Sequence, residues 1–305
     1  MVQLKNVQVL FKKFINVKKG VVRMNYLITG ATGGFGNYAM EYLKQLVPQE
    51  NIYVLARNKE KGKTLEEKGW NVRFGDYADY SSMKNALQGI DRLLFVSGAP
   101  GNRQAEHENV VKAAKATGVS YIAYTSFADA DHSTSILAPD HQFTEKVIAD
   151  SGIAHTFLRN NWYLENEWPL IELALKNGRF IYSAGEGKTG WALKREYAEV
   201  AAKALANLNF PEVLELSGKP ITYEELAKEL KEVTGKPIDI VATNDHEFIK
   251  NLEEAGYPES AAQMFAAIQK DIKNNQLDVS SKDFEQALGH PLVSLKDGLE
   301  ELLNQ

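Results

Sequence analysis

Three glycines, Gly30, Gly33 and Gly36, sit in the run Thr29-Gly30-Ala31-Thr32-Gly33-Gly34-Phe35-Gly36, after an apolar stretch and before a helix-like one. A strand that breaks at such a turn and restarts as a helix offers backbone N–H groups and a positive helix end to an anion. Gly30 permits the tight turn, Gly33 lets a phosphate approach the backbone, and Gly36 lets the helix pack on the strand. Thr32, Gly34 and Phe35 complete the cradle. The spacing is G-x-x-G-x-x-G, and a glycine triplet alone is weak evidence. Between a strand and a helix it points to a dinucleotide. The competing reading is a glycine-rich turn that binds nothing.

The second strand ends in Ala56-Arg57-Asn58. An acidic residue there would bond the ribose 2′-hydroxyl and favour NAD, whereas a guanidinium suits a 2′-phosphate. Arg57, with Lys59, Lys61 and Lys63 nearby, therefore predicts NADPH; a solvated surface arginine is the alternative. Asp76 and Tyr77 follow the third strand and are expected at the adenine, although an Asp-initiated turn explains Asp76 equally well. Ser97 and Gly98 end the fourth strand, where small residues admit the cofactor's inner ribose. Tyr124-Thr125-Ser126-Phe127 ends the fifth. Thr125 and Ser126 are expected to bond the nicotinamide ribose or a substrate oxygen, against the alternative of strand-end capping.

Short-chain dehydrogenases place Tyr-x-x-x-Lys on the helix that follows the fifth strand. This chain reads His141-Gln142-Phe143-Thr144-Glu145-Lys146 there, and no tyrosine on this helix precedes a lysine by four. Alcohol oxidation by a phenolate is thus disfavoured. An unperturbed imidazole titrates near neutrality, so His141 is a candidate proton donor or carbonyl ligand, with Tyr124 and Lys146 as the other catalytic candidates. A surface or capping histidine is the plain alternative. The six histidines form no H-x-x-x-H pair, and there is no G-x-S-x-G elbow, so neither a zinc site nor that class of hydrolase is expected.

The elements that must hold these residues alternate from Met24 onward. Strands are expected at Asn25–Thr29, Asn51–Ala56, Asn71–Phe74, Arg92–Ser97, Tyr121–Thr125 and His155–Arg159. Helices are expected at Asn37–Leu46, Lys59–Lys68, Ser81–Leu87 (with Ser81 as N-cap), Arg103–Thr117 and His141–Ser151. Short apolar strands alternating with helices predict an α/β fold, a Rossmann-type doubly wound parallel sheet. After Arg159 the texture becomes mixed. Helices are expected at Ile171–Leu175, Glu196–Leu205 and Tyr223–Val233, the last with a Thr222/Glu225 capping box. Strands are expected at Arg179–Ala184, Val213–Leu216 and Ile238–Val241. The expected division is residues 24–159 as the dinucleotide-binding domain and 160–305 as a smaller mixed α/β substrate lobe that interleaves with it.

The chain has 305 residues, 44% hydrophobic and 25% charged, with net charge −5. That balance fits a soluble protein in the cytoplasm and disfavours nucleic acid as the main partner. No cysteine is present, which excludes disulfides, thiolate catalysis and Cys-type zinc sites. No apolar stretch spans a bilayer. Residues 1–23 carry Lys5, Lys12, Lys13, Lys18, Lys19 and Arg23 and no acidic residue. A targeting peptide, a surface-binding arm and a start assigned too far upstream all fit. The third is the expectation, because Met24 directly precedes the first strand.

Thr29–Gly36, Val54–Asn58, Gly75–Asp79, Tyr121–Ser126, Glu145–Gly152, Thr156–Asn160, Trp162–Asn166 and Leu288-Gly289-His290-Pro291 together resemble the NmrA-like atypical short-chain dehydrogenase/reductases. They are most similar to the bacterial type 2 NAD(P)H:quinone oxidoreductases. The resemblance covers residues 24 to about 303. It implies a Rossmann domain with a small C-terminal lobe, bound NADPH, and hydride transfer to a small-molecule quinone without flavin or metal. It also implies that Asn160, Trp162 and Tyr163 line the cleft, and Phe127 is expected against the quinone ring. The alternatives are a non-catalytic NADP(H)-binding redox sensor, which the missing Tyr–Lys pair favours, and a reductase or isomerase for another small molecule. A homodimer stays open as the assembly.

Overall fold

The computed structural model describes residues 24–207 and 209–304. The basic segment 1–23, with the three readings attached to it, lies outside the described residues.

Seven strands form one parallel sheet: β1 (Tyr26–Ile28), β2 (Ile52–Ala56), β3 (Asn71–Phe74), β4 (Arg92–Phe95), β5 (Tyr121–Phe127), β6 (Ala154–Asn160) and β9 (Val213–Leu216). Their order is β3-β2-β1-β4-β5-β6-β9, so the winding reverses between β1 and β4. Crevices for ligands open at such a reversal, outside the carboxyl ends of the strands. The strands are nearly continuous apolar runs because helices cover both faces. The connecting helices are α1 (Gly34–Leu46), α2 (Lys59–Glu67), α3 (Tyr80–Ala86), α4 (Arg103–Thr117) and α5 (Ala138–Ser151).

Helix α1 buries Phe35, Ala39, Met40 and Leu43, a stripe at helical spacing. It packs against α7 (Lys194–Ala206), whose Tyr197, Ala198, Ala201 and Leu205 share the same core. Leu27, Phe95, Val110, Ala114 and Tyr124 form the core on the opposite face. The sheet thus takes its last strand and one covering helix from the C-terminal half, so the two halves interleave.

The remaining elements are α6 (Trp168–Asn177), β7 (Arg179–Tyr182), β8 (Lys188–Thr189), β10 (Ile221–Thr222), α8 (Tyr223–Thr234), β11 (Asp239–Ala242), α9 (Asp245–Glu254), α10 (Glu259–Lys273), α11 (Asp283–Leu288) and α12 (Leu295–Leu303). Two small sheets, β8–β10 and β7–β11, stiffen this lobe. The expected capping box starts α8, with Thr222 Oγ1 accepting from the Glu225 N–H and Glu225 Oε2 from the Thr222 N–H. At α3 the cap is Asp79 rather than Ser81: its Oδ1 accepts from the N–H groups of Ser81 and Ser82 at 2.8 and 3.2 Å. A carboxylate caps as well as a hydroxyl and adds charge that suits the helix dipole.

The loop from β5 to α5 is tied to the second lobe. Ser135 Oγ donates to Asp271 Oδ2 at 2.6 Å, and the Thr134 N–H to Gln276 Oε1 at 2.6 Å. Under the sheet edge, buried Arg159 donates to both oxygens of Glu145 (3.0 and 2.7 Å), to Asp131 (2.8 Å) and to Glu215 (3.1 Å). Removing this guanidinium strands the buried Glu145 carboxylate. Arg159→Ala is therefore expected to cost about 3–5 kcal/mol, read as a lower midpoint in urea; a midpoint equal to the parent's would show the network to be dispensable.

Candidate active site

The glycine turn is built as its sequence requires. Gly30 has φ +64°, a left-handed conformation. Gly36 sits against it so closely that a Cβ would lie 2.3 Å from the Gly30 carbonyl oxygen. At Gly33 a Cβ would meet only that oxygen, at 3.4 Å, so this side of the turn is open. Gly33 also occupies the N-cap of α1, and no side chain caps the helix. The first N–H groups of α1 therefore have no intrahelical partner and point out of the helix start.

A cleft of about 460 Å³ borders this turn, lined by Ala31, Thr32, Gly33, Gly34 and Asn37 on one side and by Lys61, Thr64, Leu65 and Lys68 on the other. Arg57 directly follows β2. Asn58 caps α2, accepting from the Glu60 and Lys61 N–H groups. Arg57 and Lys61 are both exposed, and among the described residues neither joins an ion pair. These groups fit a dinucleotide phosphate: free backbone donors, no capping side chain, and cations without counter-ions.

The other predicted cofactor residues gather at the strand ends, and most are already bonded to protein. Asp76 Oδ1 accepts from the Ala78 N–H at 3.0 Å, an Asp turn. Tyr77 donates its hydroxyl to the Val96 carbonyl at 2.9 Å and packs edge-on against Phe95 and His107. Thr125 Oγ1 accepts from the Ser97 N–H at 2.8 Å, joining the ends of β4 and β5. Ser126 donates to Glu145 at 2.5 Å.

Gly98 leads to two residues that the sequence reading did not single out. Its N–H donates to His107 Nε2 at 3.0 Å, and its carbonyl accepts from Arg103 Nε at 2.9 Å. Arg103 and His107 are both buried on α4. Their i, i+4 spacing on an otherwise apolar face was the available signal. Because Gly98 donates to Nε2, His107 carries its proton on Nδ1 and gives it to Thr144 Oγ1 at 2.8 Å.

The same logic fixes His141. Arg103 lies 3.1 Å from His141 Nε2, and a guanidinium can only donate, so the ring proton is on Nδ1, 3.0 Å from the Tyr124 hydroxyl oxygen. Burial, with the Arg103 charge adding to it, pushes His141 down to about 3. The ring is therefore held neutral, away from the near-neutral titration expected of an unperturbed imidazole. Tyr124 is fully buried behind His141, and burial raises its phenol. Lys146 is one residue off the buried His141/Glu145 face; it is exposed and pairs with Asp150 at 2.7 Å, apart from the other two candidates.

Phe127 is buried and stacks on the His141 ring, centroids 5.9 Å apart. Asn160 donates to the Tyr163 hydroxyl at 2.9 Å, while its own Oδ1 is buried without a partner among the described residues. Tyr163 stacks on Phe35 of the turn at 6.1 Å. Trp162 is half-buried against the core of the second lobe. Phe127, Asn160 and Tyr163 thus gather at the ends of β5 and β6 and beside the turn. Among the described residues no group of three or more His, Asp or Glu could hold a metal ion, and no helix is long and apolar enough to cross a membrane.

His107 is likewise held near 3 by burial first and Arg103 second. A folded-state value below the usual 6.5 means that the unfolded chain takes up the proton first. The stability from these neutral histidines is complete above pH 6.5 and is lost as pH falls toward 3. His107→Gln, which keeps an acceptor for Gly98, should show a shallower loss of stability over that range in pH-dependent urea titrations. Parallel curves for variant and parent would contradict this.

Residues 30–208 match the NAD(P)H-binding family model. The chain is 39% identical to quinone oxidoreductase 2 of Escherichia coli over 280 residues, 91% of this chain and 98% of the relative. It is similar in structure to the NADPH complex of the Escherichia coli NADPH-dependent quinone oxidoreductase, with TM-score 0.87 at 39% identity, covering 92% of this chain and all of that one. The Citrobacter triphenylmethane reductase with NADP(H) gives TM-score 0.86 at 34% identity over 91% of this chain and all of that one. The chain belongs to the NAD(P)H-binding family, within the NmrA-like group that holds the type 2 quinone oxidoreductases.

Proposed function

We propose that the protein is an NADPH-dependent reductase that passes a hydride directly to a quinone, without flavin or metal. The observation that carries this is the uncapped start of α1 with the unpaired Lys61 across one cleft from it, and the unpaired Arg57 just after β2. The N–H groups of Gly34, Phe35 and Gly36 hold the pyrophosphate, with Thr32 and Gly33 at its edge. Arg57 and Lys61 hold the 2′-phosphate. Asp76 and Tyr77 flank the adenine end, and Ser97, Gly98, Thr125 and Ser126 flank the inner ribose. The bound cofactor supplies the hydride.

Phe127, Asn160, Trp162 and Tyr163 form the acceptor's walls. The unpartnered Asn160 Oδ1 waits for a donor, such as a carboxamide. Arg103 holds His141 neutral and upright under Phe127, which sets the floor of the crevice and delivers no proton. A quinone is easily reduced, so proximity and orientation supply much of its rate. The missing Tyr–Lys pair therefore does little harm here, while it would cripple alcohol oxidation. The protein works as a homodimer in the cytoplasm, which sedimentation and cell fractionation test.

Oxidation of NADPH should depend on added benzoquinone or naphthoquinone. Arg57→Ala should raise KM for NADPH roughly 10- to 100-fold, the size of a lost charged hydrogen bond, and barely move KM for NADH. Equal effects on the two cofactors would refute the 2′-phosphate assignment. Tight cofactor binding with no turnover on any quinone would make the protein a sensor instead.

A further inference from the structure

A second cleft, about 510 Å³, opens on the other side of the turn and is lined by Gly34, Tyr38, Glu165, Trp168, Lys194 and Leu302. It shares Gly34 with the first cleft. Lys194 is the first residue of α7, and its position is fixed by its own backbone: the Lys194 N–H donates to both oxygens of Glu165, each at 2.9 Å. From there the side chain runs over the turn. A Cβ on Gly34 would lie 3.6 Å from Lys194 Cδ, and Nζ stands over the Tyr163 ring, 5.6 Å from its centroid. Lys194 is half-buried, yet among the described residues Nζ reaches no carboxylate, whereas half-buried Lys203 on the same helix pairs with Glu199 at 2.7 Å.

A partly desolvated ammonium without a counter-ion is costly unless an anion completes it. The anion-seeking group next to Lys194 is the uncapped N-terminus of α1, on the same glycine turn. Two independent positive features, one from each half of the chain, thus face one place.

We propose that Lys194 is the cation that clamps the cofactor pyrophosphate from the C-terminal half, a proposal that rests on the NADPH reading above. The dinucleotide is then held between α1 and α7 rather than by the turn alone. Lys194 leaves Tyr163 on binding, or leans from it, and so links cofactor occupancy to a wall of the acceptor crevice. Its selectivity differs from that of Arg57. The pyrophosphate is common to NADPH and NADH, so Lys194 strengthens both.

Calorimetric dissociation constants for NADPH, NADH and adenosine 2′-monophosphate, which lacks a pyrophosphate, test this. Lys194→Ala should weaken NADPH and NADH alike, roughly tenfold or more, and leave adenosine 2′-monophosphate unchanged, which also verifies the fold. Lys194→Arg should restore most of the affinity, since a guanidinium keeps the charge. Unchanged constants for NADPH and NADH overturn the proposal. So does equal weakening of all three ligands, or unchanged cofactor affinity with a raised KM for the quinone. A parent protein that binds none of the three overturns the NADPH reading itself.

Discussion

The structure depends on one close approach. The Gly30 carbonyl lies where a side chain on residue 36 would begin, so only glycine at 36 lets α1 start so near the end of β1. That contact aims the helix axis, with its free N–H groups, at the crevice where the sheet reverses its winding. Without it the helix would stand off, and β1, α1 and α7 could not share one core. The turn is thus a packing device first, and its capacity for anions follows from the packing.

Around this anchor the fold spends its polar groups on position rather than on proton transfer. His107 and Arg103 hold the N–H and the carbonyl of Gly98, and Arg103 and Tyr124 hold His141 between them. Each histidine is used as an acceptor at one nitrogen, which keeps it neutral. A site so arranged presents shape and fixed dipoles. It suits a reaction in which the cofactor brings the reactivity and the acceptor asks mainly for alignment. The backbone next to the crevice carries a mark of the same economy: Asp129, two residues after Phe127, has φ +46° and is held there by Glu215 and His132.

Much of this was legible in the chain. The glycine turn, the order of the first six strands and the Thr222 capping box follow from local signals, because spacing and backbone sterics act within a few residues. The seventh strand of the sheet was visible as a strand at Val213–Leu216 but not as a member of this sheet, since its pairing partner β6 is more than fifty residues away. The state of His141 was not legible. It depends on burial and on Arg103, which α4 brings across from another part of the sequence. Lys146 stands one residue off the His141/Glu145 face, and that shift turns its side chain into solvent. Asn160 and Tyr163 were named from a resemblance, and their mutual hydrogen bond, which leaves one amide oxygen open, emerged only in three dimensions.

Everything in this site converges on direct hydride transfer from the nicotinamide to the quinone. Single-turnover reaction of the enzyme–NADPH complex with benzoquinone, followed through the near-ultraviolet absorbance of the reduced nicotinamide, tests it most directly when normal cofactor is compared with cofactor deuterated at the transferring position. The expected result is rapid quinone-dependent loss of absorbance without added flavin, slowed severalfold by deuterium. Oxidation that requires flavin, or no quinone-dependent oxidation at all, would contradict it.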